Sequence, residues 1–109
     1  MNDVIIGPGN LAGKGVYANR DFQKGEVVIQ YHLTPLTEKE YNRLPDQEKL
    51  LFTHTHWGQI YLYGEPERYV NHSDSPNTVQ DLVKQQDIAL RDIAKGEMIT
   101  SDATKDDID

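Results

Sequence analysis

Arg68-Tyr69-Val70-Asn71-His72-Ser73-Asp74-Ser75-Pro76-Asn77 is the stretch on which the reading of this chain turns. Behind an apolar stub it gathers asparagine, serine, aspartate and a proline. By composition alone that is an ordinary loop, because short polar side chains bond their own backbone as Asx and Ser/Thr turns. Working outward, Gly64-Glu65-Pro66-Glu67 is a turn. Before it, Gln59 to Tyr63 is strand-like, with Ile60 and Leu62 on one face and Tyr61 and Tyr63 on the other. After the loop, Val79 to Val83 and Asp87 to Arg91 predict a hairpin around Lys84-Gln85-Gln86, a turn without Gly or Asn.

Further out lies an internal repeat. Arg20-Asp21-Phe22-Gln23-Lys24-Gly25-Glu26 recurs as Arg91-Asp92-Ile93-Ala94-Lys95-Gly96-Glu97. Arg, Asp, Lys, Gly and Glu keep their offsets. Each copy is flanked by apolar segments, which predicts strand, tight turn, strand, with Gly supplying positive φ. Two copies are too few for a solenoid; they suggest pseudo-symmetric β-units, or simply common turn chemistry. A small helical insert is expected over about residues 34–58. Thr37-Glu38-Lys39-Glu40 forms a capping box there, and Asp46 to Phe52 makes a second short helical turn after Pro45. Gly7 to Gly15 is Gly-rich, a pattern that lets backbone N–H groups approach an anion. It is no P-loop, since Val16 stands where the hydroxyl belongs; by itself it reads as a flexible hairpin loop. His54 and His56 fall on one side of a strand, but no further zinc ligand is evident. They read as exposed polar residues, and no metal is expected. The acidic tail, about residues 104–109, is expected to fray.

Composition narrows the function. The chain has 109 residues, one domain's worth. It carries 11 Lys and Arg against 18 Asp and Glu, a formal charge of −7. That balance argues against direct nucleic-acid binding, which depends on cations displacing phosphate counterions, and leaves cationic partners open. Cysteine is absent, so disulfides, thiolate zinc sites and a cysteine nucleophile are excluded. Apolar runs such as Val4-Ile5-Ile6 are far short of the roughly 20 residues of a spanning helix. No signal peptide is evident. A soluble, intracellular protein is expected, cytoplasmic with a nuclear location left open, and with no membrane partner.

Taken together and in order, these pieces resemble a SET domain, the fold of most protein-lysine methyltransferases. Gly13-Lys14-Gly15-Val16-Tyr17-Ala18 resembles the family's first glycine motif. Glu26 to Tyr31 resembles a strand that usually ends Glu-Tyr, with Gln30 for Glu. Arg68 to Asn77 resembles the signature Arg-Phe-Ile-Asn-His-Ser-Cys-x-Pro-Asn, with Asp74 for Cys, and Ile88 to Thr100 resembles the stretch before the catalytic tyrosine. The likeness runs from about Ile5 to Thr104. The repeat also resembles the turns of SAF domains. Both families are β-clip folds, so the signature loop is what favours SET.

The resemblance implies a mainly β, β-clip SET domain with short strands, a helical insert and a C-terminal pseudoknot, occupying residues 1–109 without flanking modules. In that pseudoknot Thr100 to Ala103 would lie beside Asn71 and His72. It implies S-adenosylmethionine as cofactor, held by Gly13, Lys14, Gly15, Arg68, Asn71 and His72, and a basic protein or peptide as lysine substrate. Tyr31, Tyr61 and Tyr63 are candidates for the walls of a lysine channel. One departure matters. Where the family reads Glu-Leu-Thr-Tyr-Asp-Tyr, this chain reads Met98-Ile99-Thr100-Ser101-Asp102-Ala103. Ser101 and Ala103 replace the two tyrosines, the second usually catalytic, so no catalytic residue is assigned. Two functions follow: a lysine methyltransferase, or a catalytically impaired module that binds cofactor or peptide. A third, a β-clip structural domain without cofactor, is disfavoured by the Asn71-His72 loop. With so little chain to spare, the channel is built from residues 34 to 67, completed by a second copy in a homodimer, or left open.

Overall fold

The computed structural model describes residues 2–108. In chain order the elements are β1 (Val4–Leu11), β2 (Lys14–Ala18), β3 (Val27–Gln30), β4 (Thr34–Leu36), α1 (Glu38–Asn42), α2 (Asp46–Phe52), β5 (Thr53–His56), β6 (Gln59–Leu62), β7 (Asn71–His72), β8 (Thr78–Asp81), β9 (Gln86–Ala89) and β10 (Met98–Ser101). They build three small sheets, ordered β1-β2-β10-β7, β3-β9-β8 and β4-β6-β5. The chain is mainly β, as expected. Among the described residues no helix is long and apolar enough to cross a membrane.

The repeat explains how the first two sheets are joined. The two copies face each other. Phe22 N–H donates to the Ile93 carbonyl at 2.8 Å, and Ile93 N–H returns the bond at 2.9 Å. Lys24 N–H donates to the Asp92 carboxylate, and Lys95 N–H to that of Asp21. Each Arg reaches the Glu of its own copy, Arg20 to Glu26 and Arg91 to Glu97. Gly25 and Gly96 take φ of 91° and 93°. The strands flanking one turn do not pair with each other: β2 pairs with β10 and β3 with β9. Phe22, Ile93, Val16 and Ile99 meet at the centre of the core, each no more than 2% exposed.

The Gly-rich segment is strand rather than flexible loop. β1 and β2 pair antiparallel from Val4↔Ala18 onward. Ala12 and Gly13 make the tight turn with φ of 52° and 79°, the positive values a two-residue hairpin turn needs. Pro8, which cannot donate to a ladder, is tolerated because β1 is an edge strand. At Gly9 a Cβ would lie 2.4 Å from the Lys14 carbonyl oxygen, so only glycine fits where the register shifts.

Three expectations need correction. The β8–β9 hairpin closes earlier than predicted, with Asp81 opposite Gln86. The Asp81 carboxylate accepts from Lys84 N–H at 3.0 Å, and Gln85 takes the positive φ that Gly or Asn would usually supply. The insert is as much strand as helix. The Thr37–Glu40 capping box is present, but α1 and α2 are bracketed by the β4-β6-β5 sheet, which runs on to Leu62. The tail does not fray over its described part. Trp57 N–H donates to the Ile108 carbonyl, Ile108 N–H to Thr55, and Thr55 N–H to the Asp107 carboxylate. Asp109 lies outside the described residues. The acidic side chains that suggested fraying are engaged by two strands, Asp107 by Thr55 and His54 of β5 and Asp106 by Gln80 of β8.

Candidate active site

The signature stretch is an ordered clasp. β7, two residues long, lies parallel to β10 with Asn71 opposite Thr100 and Ser101 opposite His72. β10 thus sits between β2 and β7, where Thr100 to Ala103 were expected. Asn77 clamps the loop's far end. It accepts from Thr100 N–H and donates to the Met98 carbonyl, each at 2.8 Å. Both asparagines are buried, and a buried amide is held where its bonds are met.

Asn71 joins the clasp to the first hairpin. Its Oδ1 accepts from Asn10 N–H at 2.7 Å, and its Nδ2 donates to the carbonyls of Lys14 and Tyr69, each at 2.9 Å. Both donors are therefore spent within the protein, and one Oδ1 lone pair remains. A Cβ at Gly15 would stand 3.4 Å from that Nδ2, so a side chain there would crowd the joint. His72 accepts from Ala103 N–H at Nδ1 (2.9 Å) and faces Asp74 at Nε2 (3.0 Å). Because Nδ1 is an acceptor, Nε2 carries the proton. Arg68 donates its Nε–H to the Tyr63 carbonyl at 2.9 Å, and its guanidinium lies over the Phe52 ring.

A cavity of about 200 Å³ opens beside this clasp. Leu11, Arg68, Val70 and His72 line it, together with Ser101 and Ala103. Tyr31 and Tyr63 complete the wall, their rings 5.4 Å apart. Tyr61 does not line it; that ring packs on His56. Of the three channel candidates, Tyr31 and Tyr63 thus share this cavity. Gly13, Lys14 and Gly15 are not among the lining residues and reach the site through Asn71.

Acidic groups line the same cavity. Glu67 is spent on the backbone N–H groups of His32 and Gly64. Asp106 accepts from Gln80 at 2.7 Å, and burial pushes its carboxyl up. Asp87, 2% exposed, accepts the Tyr31 hydroxyl. Burial pushes its carboxyl up to about 7, with the Tyr31 bond acting the other way and Asp106 and Glu67 adding to the rise. Burial, then the Asp87 carboxylate, raises the Tyr31 phenol. Burial raises Tyr63 as well, helped by Asp106 and Asp87. His56 is buried, not exposed: its Nε2 lies 2.9 Å from the Tyr63 hydroxyl, and burial lowers its affinity for a proton. No cluster that could hold a metal ion occurs among the described residues.

The order of motifs and the β10–β7 clasp agree with the comparison to known proteins. A family model described as the SET domain matches residues 13–102. The chain belongs to the SET domain family. It is 32% identical over 115 residues to human histone-lysine N-methyltransferase 2D, covering 93% of this chain and 2% of that protein. It is 30% identical over 109 residues to the H3 lysine-36 specific histone-lysine N-methyltransferase of Saccharomyces cerevisiae, covering 86% of this chain and 15% of that protein. The chain thus spans a small part of these relatives. Among solved structures, an autoinhibited polycomb repressive complex 2 (ctPRC2) bound to S-adenosylmethionine superposes with a TM-score of 0.76 at 22% identity, over 96% of this chain and 15% of that one. An active polycomb repressive complex 2 in the basal state gives 0.72 at 23%, over 91% and 15%. These likenesses establish the fold.

In this SET domain the cavity is closed by residues that the sequence did not single out. Asp87, Asp106 and Glu67 line it from β9, the tail and the 3-10 turn Glu67–Tyr69. The one signal for Asp87 was strand alternation, which puts it on the same face as Ala89. Which face points inward depends on pairing with β8 and β3, and no local pattern states it. The tail, through Asp106, adds to an enclosure that the segment of residues 34–67 supplies with Leu50, Leu51, His54 and Tyr63.

Proposed function

We propose that this SET domain binds S-adenosylmethionine and methylates a lysine of a basic protein segment. The observation that carries the reading is the cavity where the Asn71–His72 clasp, Ala103, Tyr31 and Tyr63 converge on acidic groups. The donor set suits the cofactor. The cavity couples apolar wall from Leu11 and Val70 with carboxylates that complement a sulfonium and an amine. Among the described residues, the terminal amines of Arg68 have no hydrogen-bond partner and suit a carboxylate. Gly13, Lys14 and Gly15 shape the hairpin beside it, Asn71 holds that hairpin in place, and His72 offers backbone to the adenine.

The cofactor supplies a methyl group on sulfur that leaves with the carbon–sulfur electron pair remaining on sulfur. The chain's part is to bring a neutral amine into line and keep water out. Tyr31 and Tyr63 present ring faces suited to the aliphatic stem and cationic head of lysine. The charge of −7 favours approach of a basic segment, and the relatives are named for acting on histone lysines. Ser101 and Ala103 favour a second reading, a cofactor- or peptide-binding module without transfer. Losing one positioned donor costs on the order of 3 kcal/mol of transition-state stabilisation in comparable sites.

Two measurements decide. Calorimetry with S-adenosylmethionine is expected to show binding, and no heat at millimolar cofactor would refute methyl transfer and cofactor binding alike. Transfer of radiolabelled methyl to basic proteins is expected. Binding without a labelled product would leave the module.

A further inference from the structure

We propose that Asp87, held by the Tyr31 hydroxyl in the cavity it shares with Ala103, receives the substrate amine and takes its proton. This rests on the methyl-transfer reading above. It names the group that does the work for which the usual tyrosine is missing.

Elimination among the cavity's carboxylates points to Asp87. Glu67 is occupied by two backbone N–H groups, those of His32 and Gly64. Asp106 is bonded to Gln80 and lies 3.9 Å from His54. Asp87 makes no ion pair among the described residues, and its one hydrogen bond runs from Tyr31 to Oδ1. A carboxylate can accept about four bonds, so Oδ2 is unspent on a residue that lines the cavity. A charged residue with a single partner on the inward face of a strand is costly unless something else completes its shell. A lysine ammonium does so.

The proton balance follows. The bound pair rests as ammonium and carboxylate; as the amine reacts, the ammonium N–H bond breaks and an O–H bond forms on Asp87, so the pair passes through a neutral form suited to a site where water is excluded. The freed amine lone pair forms the carbon–nitrogen bond as the methyl carbon's bond to sulfur breaks, its electron pair staying on sulfur. The product leaves as a methylammonium, and Asp87 returns its proton to solvent. The Tyr31 hydroxyl, by bonding the ionised form, holds the carboxyl near neutral against burial. The other titratable or charged groups that line the cavity with it are Tyr63, Glu67, Asp106, His54, His72 and Arg68.

The test follows the carboxyl-carbon NMR signal of Asp87 against pH, with and without millimolar butylamine, the lysine side chain cut free. Butylamine is expected to lower the Asp87 midpoint, because a neighbouring cation favours the carboxylate. Tyr31→Phe is expected to raise it. Asp87→Asn is expected to lower transfer to a basic peptide by about a hundredfold or more, at saturating cofactor. An Asp87 signal indifferent to butylamine, or full transfer by Asp87→Asn, overturns the proposal. A chain that neither binds cofactor nor transfers, yet whose Asp87 responds to butylamine, refutes the methyltransferase reading and leaves an amine site.

Discussion

Replacing Asp87 with asparagine should change how the stability of this domain depends on pH. The unfolded carboxyl titrates at 3.8, and burial moves the folded one to about 7. Between those values the folded chain holds a proton that the unfolded chain has released. The contribution is fully present below 3.8 and is lost as pH rises through about 7. Each pH unit across that window is worth about 1.4 kcal/mol, so the whole window amounts to on the order of 4 kcal/mol. Asn keeps an oxygen to accept the Tyr31 hydroxyl but never ionises. Its added N–H groups shift the overall stability, not the slope. Urea denaturation of both proteins at several values from about pH 5 to about pH 8 reads the difference. That difference is expected to move in favour of Asp87→Asn by on the order of 2 to 3 kcal/mol up to pH 7 and then flatten. Asp106, also raised, adds a slope of the same sign, and His56, lowered, adds one of opposite sign below its ordinary value of 6.5. Both are present in either protein and cancel to first order. Parallel curves would refute the reasoning, because they would mean that the Asp87 carboxyl does not titrate differently when buried.

Other outcomes can be checked in the same protein. Asn71→Ala removes three hydrogen bonds and should destabilise by ~2–4 kcal/mol in urea, with cofactor binding by calorimetry weakened at least tenfold; unchanged affinity would place the cofactor elsewhere. Ala103→Tyr adds a hydroxyl at a cavity-lining position, and radiolabelled transfer should rise over the parent. Ending the chain after Lys105 removes the Asp107 and Ile108 bonds to β5; hydrogen exchange at the Trp57 amide should quicken and the melting temperature fall, and an unchanged exchange rate would show that the tail is not docked in solution.

Local chemistry made a good part of this domain readable from its residues alone. Thr37 and Glu40 are three apart and satisfy each other's backbone, so the capping box needs no partner from elsewhere. Gly25 and Gly96 mark turns because only the missing Cβ makes their φ inexpensive. The signature from Arg68 to Asn77, through its likeness to the SET family, located the loop and its neighbour β10. Tertiary structure decided the rest, because it depends on which distant segments meet. The two repeat turns exchange aspartates 68 and 74 residues away, and nothing within one copy says that its partner is the other. Composition alone made the tail look frayed. Docking against β5 and β8 turned the same acidic side chains into hydrogen-bond acceptors. The burial of Asp87, and with it the chemistry of the cavity, was set by the pairing of β9 with β3 and β8, since a strand's alternation names two faces but not which of them looks inward.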